Sequence, residues 1–317
     1  MKKPSRLEVL EERSRFLRTI REFFFNLDFV EVQTPLLSTD TMVDAAIDPI
    51  SLAVAGQSHE LFLQTSPEFS MKRLLIEGMT RIFEITPAFR NAESGQRHNP
   101  EFTMLEWYRV GDSYEQGIEL LLQLALKLFP GLPTANVTYA EIFLNKFGVD
   151  PHLAESGQLV DLATSHRVMI PDGTVDRDTI LQILMSELIE PELGQDSLCI
   201  VRDWPASQSA LSKLRMTDHG YSVAERFELY VSGVELANGY HELTDADEQR
   251  QRMRANNQSR KFIGLRELPE ESKLLERMTS DGLPDCCGVA AGIDRMLMVK
   301  LGLQYLSDVM AYDFANA

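Results

Sequence analysis

Cysteine is scarce in this chain: 317 residues hold three, Cys199, Cys286 and Cys287, an odd number with two adjacent and no C-x-x-C spacing. That excludes a disulfide framework and a zinc site of the usual spacing, and it fits a reducing cytoplasm. Long apolar runs are missing as well. The greasiest stretch, Leu120 to Phe129, is short and interrupted by Gln123 and Lys127, and the opening MKKPSRLEVLEERSR has two lysines with no apolar segment behind them. Neither a membrane span nor a secretory signal is expected. Positive charge is short: 31 Lys and Arg stand against 48 Asp and Glu, a formal charge of −17 that repels a phosphodiester backbone. Tight nucleic-acid binding is not the expected activity. What remains, 44% hydrophobic and 25% charged residues, excludes a disordered or fibrous chain. At this length roughly three quarters of the unfolded surface can be buried, in one large core or two smaller ones.

Leu7, Leu10, Leu17, Ile20 and Phe24 recur at helical spacing, which predicts an amphipathic helix over 6–26. Val30-Glu31-Val32-Gln33 alternates like a half-buried strand and stops at Thr34-Pro35. Ser66-Pro67-Glu68 combines a capping residue, a proline suited to a first helical position and an acid for the positive helix end, so a helix is expected over 67–77. Residues 81–89 and 102–110 read as antiparallel strands joined by the polar loop NAESGQRHNPE. A helix follows from Ser113 to Phe129, and 131–200 reads as a less regular insertion in a single domain spanning 1–317. Strand-like runs return at Leu198 to Arg202 and Arg226 to Leu236, Thr244 with Asp245 and Asp247 opens a charged helix through about 261, and an apolar helix follows Ile293-Asp294-Arg295 to Gly302. Strands with hairpin-like connections and long helices define an α+β fold with an antiparallel sheet.

Three constellations carry chemistry. In the first, a strand ends at Phe89-Arg90-Asn91, a loop crosses, and His98-Asn99-Pro100-Glu101-Phe102 begins the return strand. Arginine grips phosphate oxygens bidentately and Phe offers a stacking face; a solvated hairpin with one core Phe is the bland alternative. In the second, Glu235 and Glu242 bracket Asn238-Gly239, and paired carboxylates can hold Mg²⁺ or an ammonium group, although exposed acids are abundant here. In the third, Gly288 to Gly292 supplies small residues ahead of Arg295, with close helix packing as the alternative. No P-loop or Rossmann spacing is present, and the histidines are scattered without metal-ligand spacing.

In order and wording these segments resemble the three motifs of class II aminoacyl-tRNA synthetases, close to the lysine branch: Val32 to Pro35 with the first helix, Phe83 through Tyr108, and Gly288 through Arg295. With Thr65-Ser66-Pro67-Glu68 and Glu235-Leu236-Ala237-Asn238-Gly239 the likeness covers nearly the whole chain. Lysyl-tRNA synthetases carry an N-terminal anticodon-reading OB domain, for which no room is expected here, and the phrases HNPEFTMLEWYR, PASQ and GVELANGYHELTDA resemble the synthetase paralogues that attach (R)-β-lysine to elongation factor P. The resemblance implies a class II catalytic fold, a homodimer paired near Phe23-Phe24-Phe25 and Pro35, ATP and Mg²⁺. It places Arg90 on the α-phosphate, Phe102 on the adenine and Arg295 on its opposite face near the γ-phosphate, with Asn91, Ala92, Asn99, Leu236 and Gly292 around the nucleotide. Glu235, with Glu242, would hold Mg²⁺. Ser66, Pro67, Glu68, Glu106, Tyr108, Asn238, Glu242 and Ala290 would surround the amino acid, Glu68 at one amino group and Glu106, Tyr108 and Glu242 at the other.

Two positions depart from the synthetases. Their glutamate two places after the motif 2 arginine is Ala92 here, with the acid displaced to Glu93. Their motif 3 glycine is Ala290, a methyl on the pocket wall that alters which lysine isomer fits and favours β-lysine. The activity implied is ATP-dependent activation of (R)-β-lysine or lysine and transfer to elongation factor P. A minimal lysyl-tRNA synthetase and an inactive, binding paralogue are the alternatives; tRNA is disfavoured as partner by the charge.

Overall fold

The computed structural model describes residues 4–56, 58–171 and 176–317, so the first three residues of the lysine-bearing N-terminus and 172–175 of the 131–200 segment lie outside it. Helix α1 (Arg6–Phe25) opens with a capping box, Ser5 accepting from the Glu8 amide while the Glu8 carboxylate accepts from the Ser5 N–H. Val9, Phe16, Ile20 and Phe24 form its buried stripe. Then come β1 (Val30–Glu31), β2 (Leu37–Ser38), β3 (Ser51–Leu52), β4 (Leu61–Leu63), α2 (Glu68–Ile76), β5 (Arg81–Phe89), β6 (Glu101–Val110) and α3 (Tyr114–Leu128). They are followed by β7 (Thr134–Thr138), α4 (Tyr139–Phe147), α5 (Ser156–Ser165), α6 (Arg177–Leu184), β8 (Leu198–Pro205), β9 (Leu214–Met216), β10 (Ser222–Val231) and β11 (Val234–His241). The chain ends with α7 (Ala246–Phe262), α8 (Lys273–Asp281), β12 (Cys286–Gly292) and α9 (Ile293–Lys300). These elements gather into two compact units, Met1–Gly117 with Glu242–Ala317, and Ile118–His241.

In the first unit β5, β6 and β12 are antiparallel neighbours and β1 joins β5 in parallel, so the sheet is mixed where an antiparallel one was expected. Strand β6 alternates. Leu105 and Trp107 point into the core, where the Phe24 ring lies 5.2 Å from Trp107 and stacks at 4.7 Å on Phe83. Thr103 shares that face and is clamped. Arg13 of α1 donates to Asp294 Oδ1 at 2.5 Å and to Thr103 Oγ1 at 2.7 Å, and Asp294 Oδ2 accepts the Thr103 N–H at 2.6 Å. Helices α1 and α9 are thereby fixed on the core side of β6. Its other face presents Phe102, Met104, Glu106 and Tyr108. Arg260 of α7, fully buried, donates to the carbonyls of Asp44, Ile47 and Arg266 and to the Asp48 carboxylate, binding the long excursion after β2 to the helix.

In the second unit β8, β10 and β11 are antiparallel, β7 runs parallel to β8, and β9 pairs with β10. The segment expected to be irregular has its own core of Tyr139, Phe143, Leu159, Leu181 and Trp204; its helices of 8 to 10 residues are too short to show much periodicity. One other expectation is corrected. The run Arg226 to Leu236 is not one strand: Ser232 (φ 53°) and Gly233 (φ 69°) both take the left-handed conformation of a two-residue hairpin turn between β10 and β11. Of the residues expected to open α7, Asp245 is the cap, its carboxylate accepting from the amides of Asp247 and Glu248, both at 2.9 Å. All three cysteines are free and buried, and Cys287 Sγ lies 3.3 Å from the Ser113 carbonyl to which it donates. Among the described residues no helix is long and apolar enough to cross a membrane.

Asp294→Ala strands the Arg13 guanidinium and the Thr103 N–H in a largely buried setting. A loss of about 3 kcal/mol is expected from urea denaturation; a change within about 0.5 kcal/mol, the range of an ordinary surface substitution, would show that the clamp contributes nothing.

Candidate active site

Helix α2 begins one residue later than the sequence suggests, with Pro67 as its cap and Glu68 its first residue. Ser66 Oγ accepts the Glu68 N–H at 3.1 Å and donates to Glu106 Oε2 at 2.7 Å. Tyr108 O–H donates to the other oxygen of Glu106 at 2.5 Å. One turn into α2, the buried Lys72 ammonium donates to Glu68 Oε1 at 2.5 Å and pairs with Glu242 Oε2 at 2.6 Å. Across the β6/β12 ladder Tyr108 faces Gly288 and Glu106 faces Ala290, so these four share one side of the sheet. A Cβ on Gly288 would fall 2.2 Å from Tyr108 Cε1 and 2.4 Å from Glu242 Oε1, so only glycine leaves room for both side chains. The structure thus brings Ser66, Pro67, Glu68, Glu106, Tyr108, Glu242 and Ala290 into one cluster.

Burial, and then the charge of Glu68, push the Glu106 carboxyl up to about 8, against the hydrogen bonds from Tyr108 and Ser66. Burial, followed by Glu106, also raises the Tyr108 hydroxyl well above its ordinary range. For Lys72 burial alone would favour the neutral amine; the carboxylates of Glu242 and Glu68 more than reverse this and keep it charged. The result is two buried carboxylates, Glu68 and Glu242, around one cation, with a third carboxyl, Glu106, that can ionise beside an incoming ammonium group.

Further along the same face of β6, the Arg90 guanidinium lies over the Phe102 ring, 5.1 Å from its centroid. Its Nε–H is buried without a hydrogen-bond partner among the described residues, and its nearest acid, Glu93, stands at 3.5 Å. A donor left over in this way fits an incoming anion. Ala92 sits at φ 59°, turning the loop so that the displaced Glu93 points back to Arg90. Asn91 is anchored on Asp48 through its backbone N–H and its side chain, both at 2.8 Å. Asn99 donates to the Glu101 carbonyl at 2.6 Å and accepts the Phe314 N–H at 3.0 Å, a task of holding the loop and the C-terminal segment together. Arg295 lies against the same loop, 2.7 Å from His98 Nε2 and 3.3 Å from the Arg97 carbonyl, and a Cβ on Gly292 would only touch its stem.

Glu235, Leu236 and Asn238 lie on β11 of the second unit. A bulge at Leu236 keeps Glu235 opposite Tyr230 and Asn238 opposite Glu228, so both predicted polar residues share a face despite their odd spacing. On that face the buried Glu228 accepts from Tyr230 O–H and Arg226, both at 2.5 Å. Burial, and the charge of Glu235 against that of Arg226, hold the Glu228 carboxyl above its ordinary value. Two carboxylates on one face, beside an Asn238 Oδ1 that is buried without a partner, fit a hard cation that takes its remaining ligands from phosphate oxygens. No group of three or more His, Cys, Asp or Glu among the described residues is arranged for a metal. Lys72 and Glu228 were not read from the sequence. The signals were there: Glu68 and Lys72 stand at i,i+4, and the Glu-x-Tyr pair of 106 and 108 recurs at 228 and 230.

The family model described as class II tRNA synthetases (D, K and N) matches residues 1–315, and the chain belongs to that family. It is 42% identical over 316 residues to the elongation factor P (R)-β-lysine ligase of Salmonella typhi, covering 97% of this chain and 95% of the relative. It is 43% identical over 319 residues to the ligase of the same name from Vibrio cholerae, with 98% and 97% covered, and 40% identical over 315 residues to that of Pasteurella multocida, with 98% and 96% covered.

The raised Glu106 carboxyl has a pH signature. Folded protein holds this proton above the ordinary value of 4.5, so the stability it contributes is complete below that value and is lost as pH rises through about 8. Relative to Glu106→Gln, the native protein is therefore expected to lose stability steadily between pH 5 and 8 in urea titrations; a pH-independent difference would contradict the assignment.

Proposed function

We propose that this protein is an ATP-dependent ligase that activates (R)-β-lysine, or lysine, as an aminoacyl-adenylate and transfers it to a lysine side chain of elongation factor P. The observation that carries the reading is the cluster of Glu68, Glu106 and Glu242, three buried acids against the single cation of Lys72. Such a cluster suits a substrate with two ammonium groups, one of which would meet Glu106 as its carboxyl gives up its proton. The names of the relatives supply the acceptor.

In the first step the substrate carboxylate attacks the α-phosphorus of ATP, the bond to the β-phosphate oxygen breaks, and pyrophosphate leaves. Arg90 would hold the α-phosphate with its spare Nε–H, Phe102 would stack on the adenine, and Arg295 would close over its other face near the γ-phosphate. Asn91, Ala92, Asn99 and Gly292 shape the loop and the strand end around these groups. Mg²⁺, when bound, would neutralise phosphate charge, with Glu235 as its protein ligand. The hold of Lys72 on Glu242 favours a substrate role for that acid over a metal one. In the second step an acceptor lysine amine attacks the acyl carbon and AMP leaves. Orientation and charge neutralisation suffice, so no nucleophilic side chain is needed. Pro67 and the Ala290 methyl would complete the amino-acid pocket of the first unit, Ala290 shortening it beside Glu106.

The charge of −17 counts against tRNA as acceptor, and the enzyme's place would be the cytoplasm. A homodimer fits the motif 1 edge of the first unit: Phe24 is buried, but Phe25 is 51% and Val30 49% exposed, with Leu36 and Leu37 also open.

The test offers labelled (R)-β-lysine and labelled L-lysine, each with ATP and Mg²⁺, to elongation factor P or total tRNA. Label on the protein, mainly from β-lysine, is expected, and Arg90→Ala should reduce pyrophosphate exchange at least a hundredfold; label on tRNA from L-lysine would overturn the reading. Sedimentation at micromolar concentration should give a dimer, and a monomer there would remove the assembly from the proposal.

A further inference from the structure

Lys72 is fully buried, and its ammonium is shared by two acids on different elements. Glu68 starts α2. Glu242 follows β11, and its N–H donates to the Cys286 carbonyl of β12. One nitrogen at 2.5 and 2.6 Å from the two carboxylates keeps their bound oxygens within about 5 Å of each other, hydrogen-bond reach on either side. Without a cation between them, two buried carboxylates so close would repel and move apart. Tyr108 lies under the ammonium, its ring centroid at 6.0 Å, and Gly288 leaves the space in which Tyr108 and Glu242 meet.

Under the function proposed above, Glu68 and Glu242 read the two amino groups of one substrate molecule. We propose that Lys72 is a positioning residue that fixes the separation of these two acids and thereby selects the diamino acid by the distance between its amino groups. The chemistry supports a ruler of this kind. In (R)-β-lysine the two amino groups are one methylene closer than in α-lysine, a difference that a rigid site can read by about tenfold to two-hundredfold and a slack site cannot. Lys72 need touch neither ATP nor the reacting carboxylate to do this.

The test is pyrophosphate exchange with each isomer by the wild-type protein, Lys72→Met and Lys72→Arg. Methionine keeps length and burial but removes the tie. The expected result is a KM for the preferred isomer raised at least tenfold, a ratio of kcat/KM between isomers reduced at least fivefold, and a KM for ATP within twofold of the wild type. Arginine keeps the cation, and hence the neutralised core, but holds the two acids on separate nitrogens, further apart; preference should move toward the longer α-lysine. If Lys72→Met does not fold, the arginine variant decides alone. An unchanged isomer ratio in whichever variants fold would overturn the proposal and leave Lys72 a buried structural ion pair. If the wild-type protein activates neither isomer, it is the ligase reading that falls, and the two failures are thus told apart.

Discussion

The structure depends on the two-residue alternation of β6. One strand must bury Leu105 and Trp107 against Phe24 and Phe83 on one side while presenting Phe102, Glu106 and Tyr108 on the other. A slip of one residue would put Glu106 into an aromatic core and Trp107 into the acid cluster. Register is therefore defended from both faces. The Arg13, Thr103 and Asp294 clamp holds the core side, and the Tyr108 and Ser66 hydrogen bonds to Glu106 hold the other. Because Asp294 immediately precedes Arg295, the same clamp that fixes the strand also fixes the helix end from which Arg295 reaches the loop at His98.

The two ends of this face are built on different physics. At Phe102 the site is open and cationic, with Arg90 and Arg295 beside an exposed loop. At Tyr108 it is closed and anionic, with the acids nearly sealed from water. A polar group buried without partners is costly, and each acid here has its own solution: hydroxyls for Glu106, a shared ammonium for Glu68 and Glu242. These acids can be stored in the unliganded fold because each has a donor or a cation near at hand.

Much of this was legible in the sequence, since the signals were local. The Ser5 and Glu8 capping box, the helix after Ser66-Pro67, and the strand, loop and strand of 81 to 110 depend on neighbours within a few residues. Glu68, Glu106 and Glu242 were named through the resemblance to the synthetase motifs, and the structure brings them together. What escaped depended on contacts from afar. Lys72 reads as an ordinary helix-surface lysine until Glu242, 170 positions on, is placed beside it. The Ser232-Gly233 turn was hidden because Ser is an uncommon residue at a left-handed position, so an apolar run seemed to continue through it. Thr244 and Asp245 both suit a cap, and only backbone geometry chooses between them. The helices between 139 and 184 are amphipathic, but each is too short for its period to stand out.

The burial of the cysteines bears on how motion in this molecule can be watched. Cys199, Cys286 and Cys287 are all shut away from solvent, and burial raises the Cys287 thiol far from the reactive thiolate. The native chain is thus a blank background for maleimide and nitroxide reagents. A single cysteine introduced on the exposed side of the loop between Arg90 and Phe102 would carry a spin or fluorescent label alone, without first stripping the protein of its own thiols, and would report on that loop as nucleotide arrives.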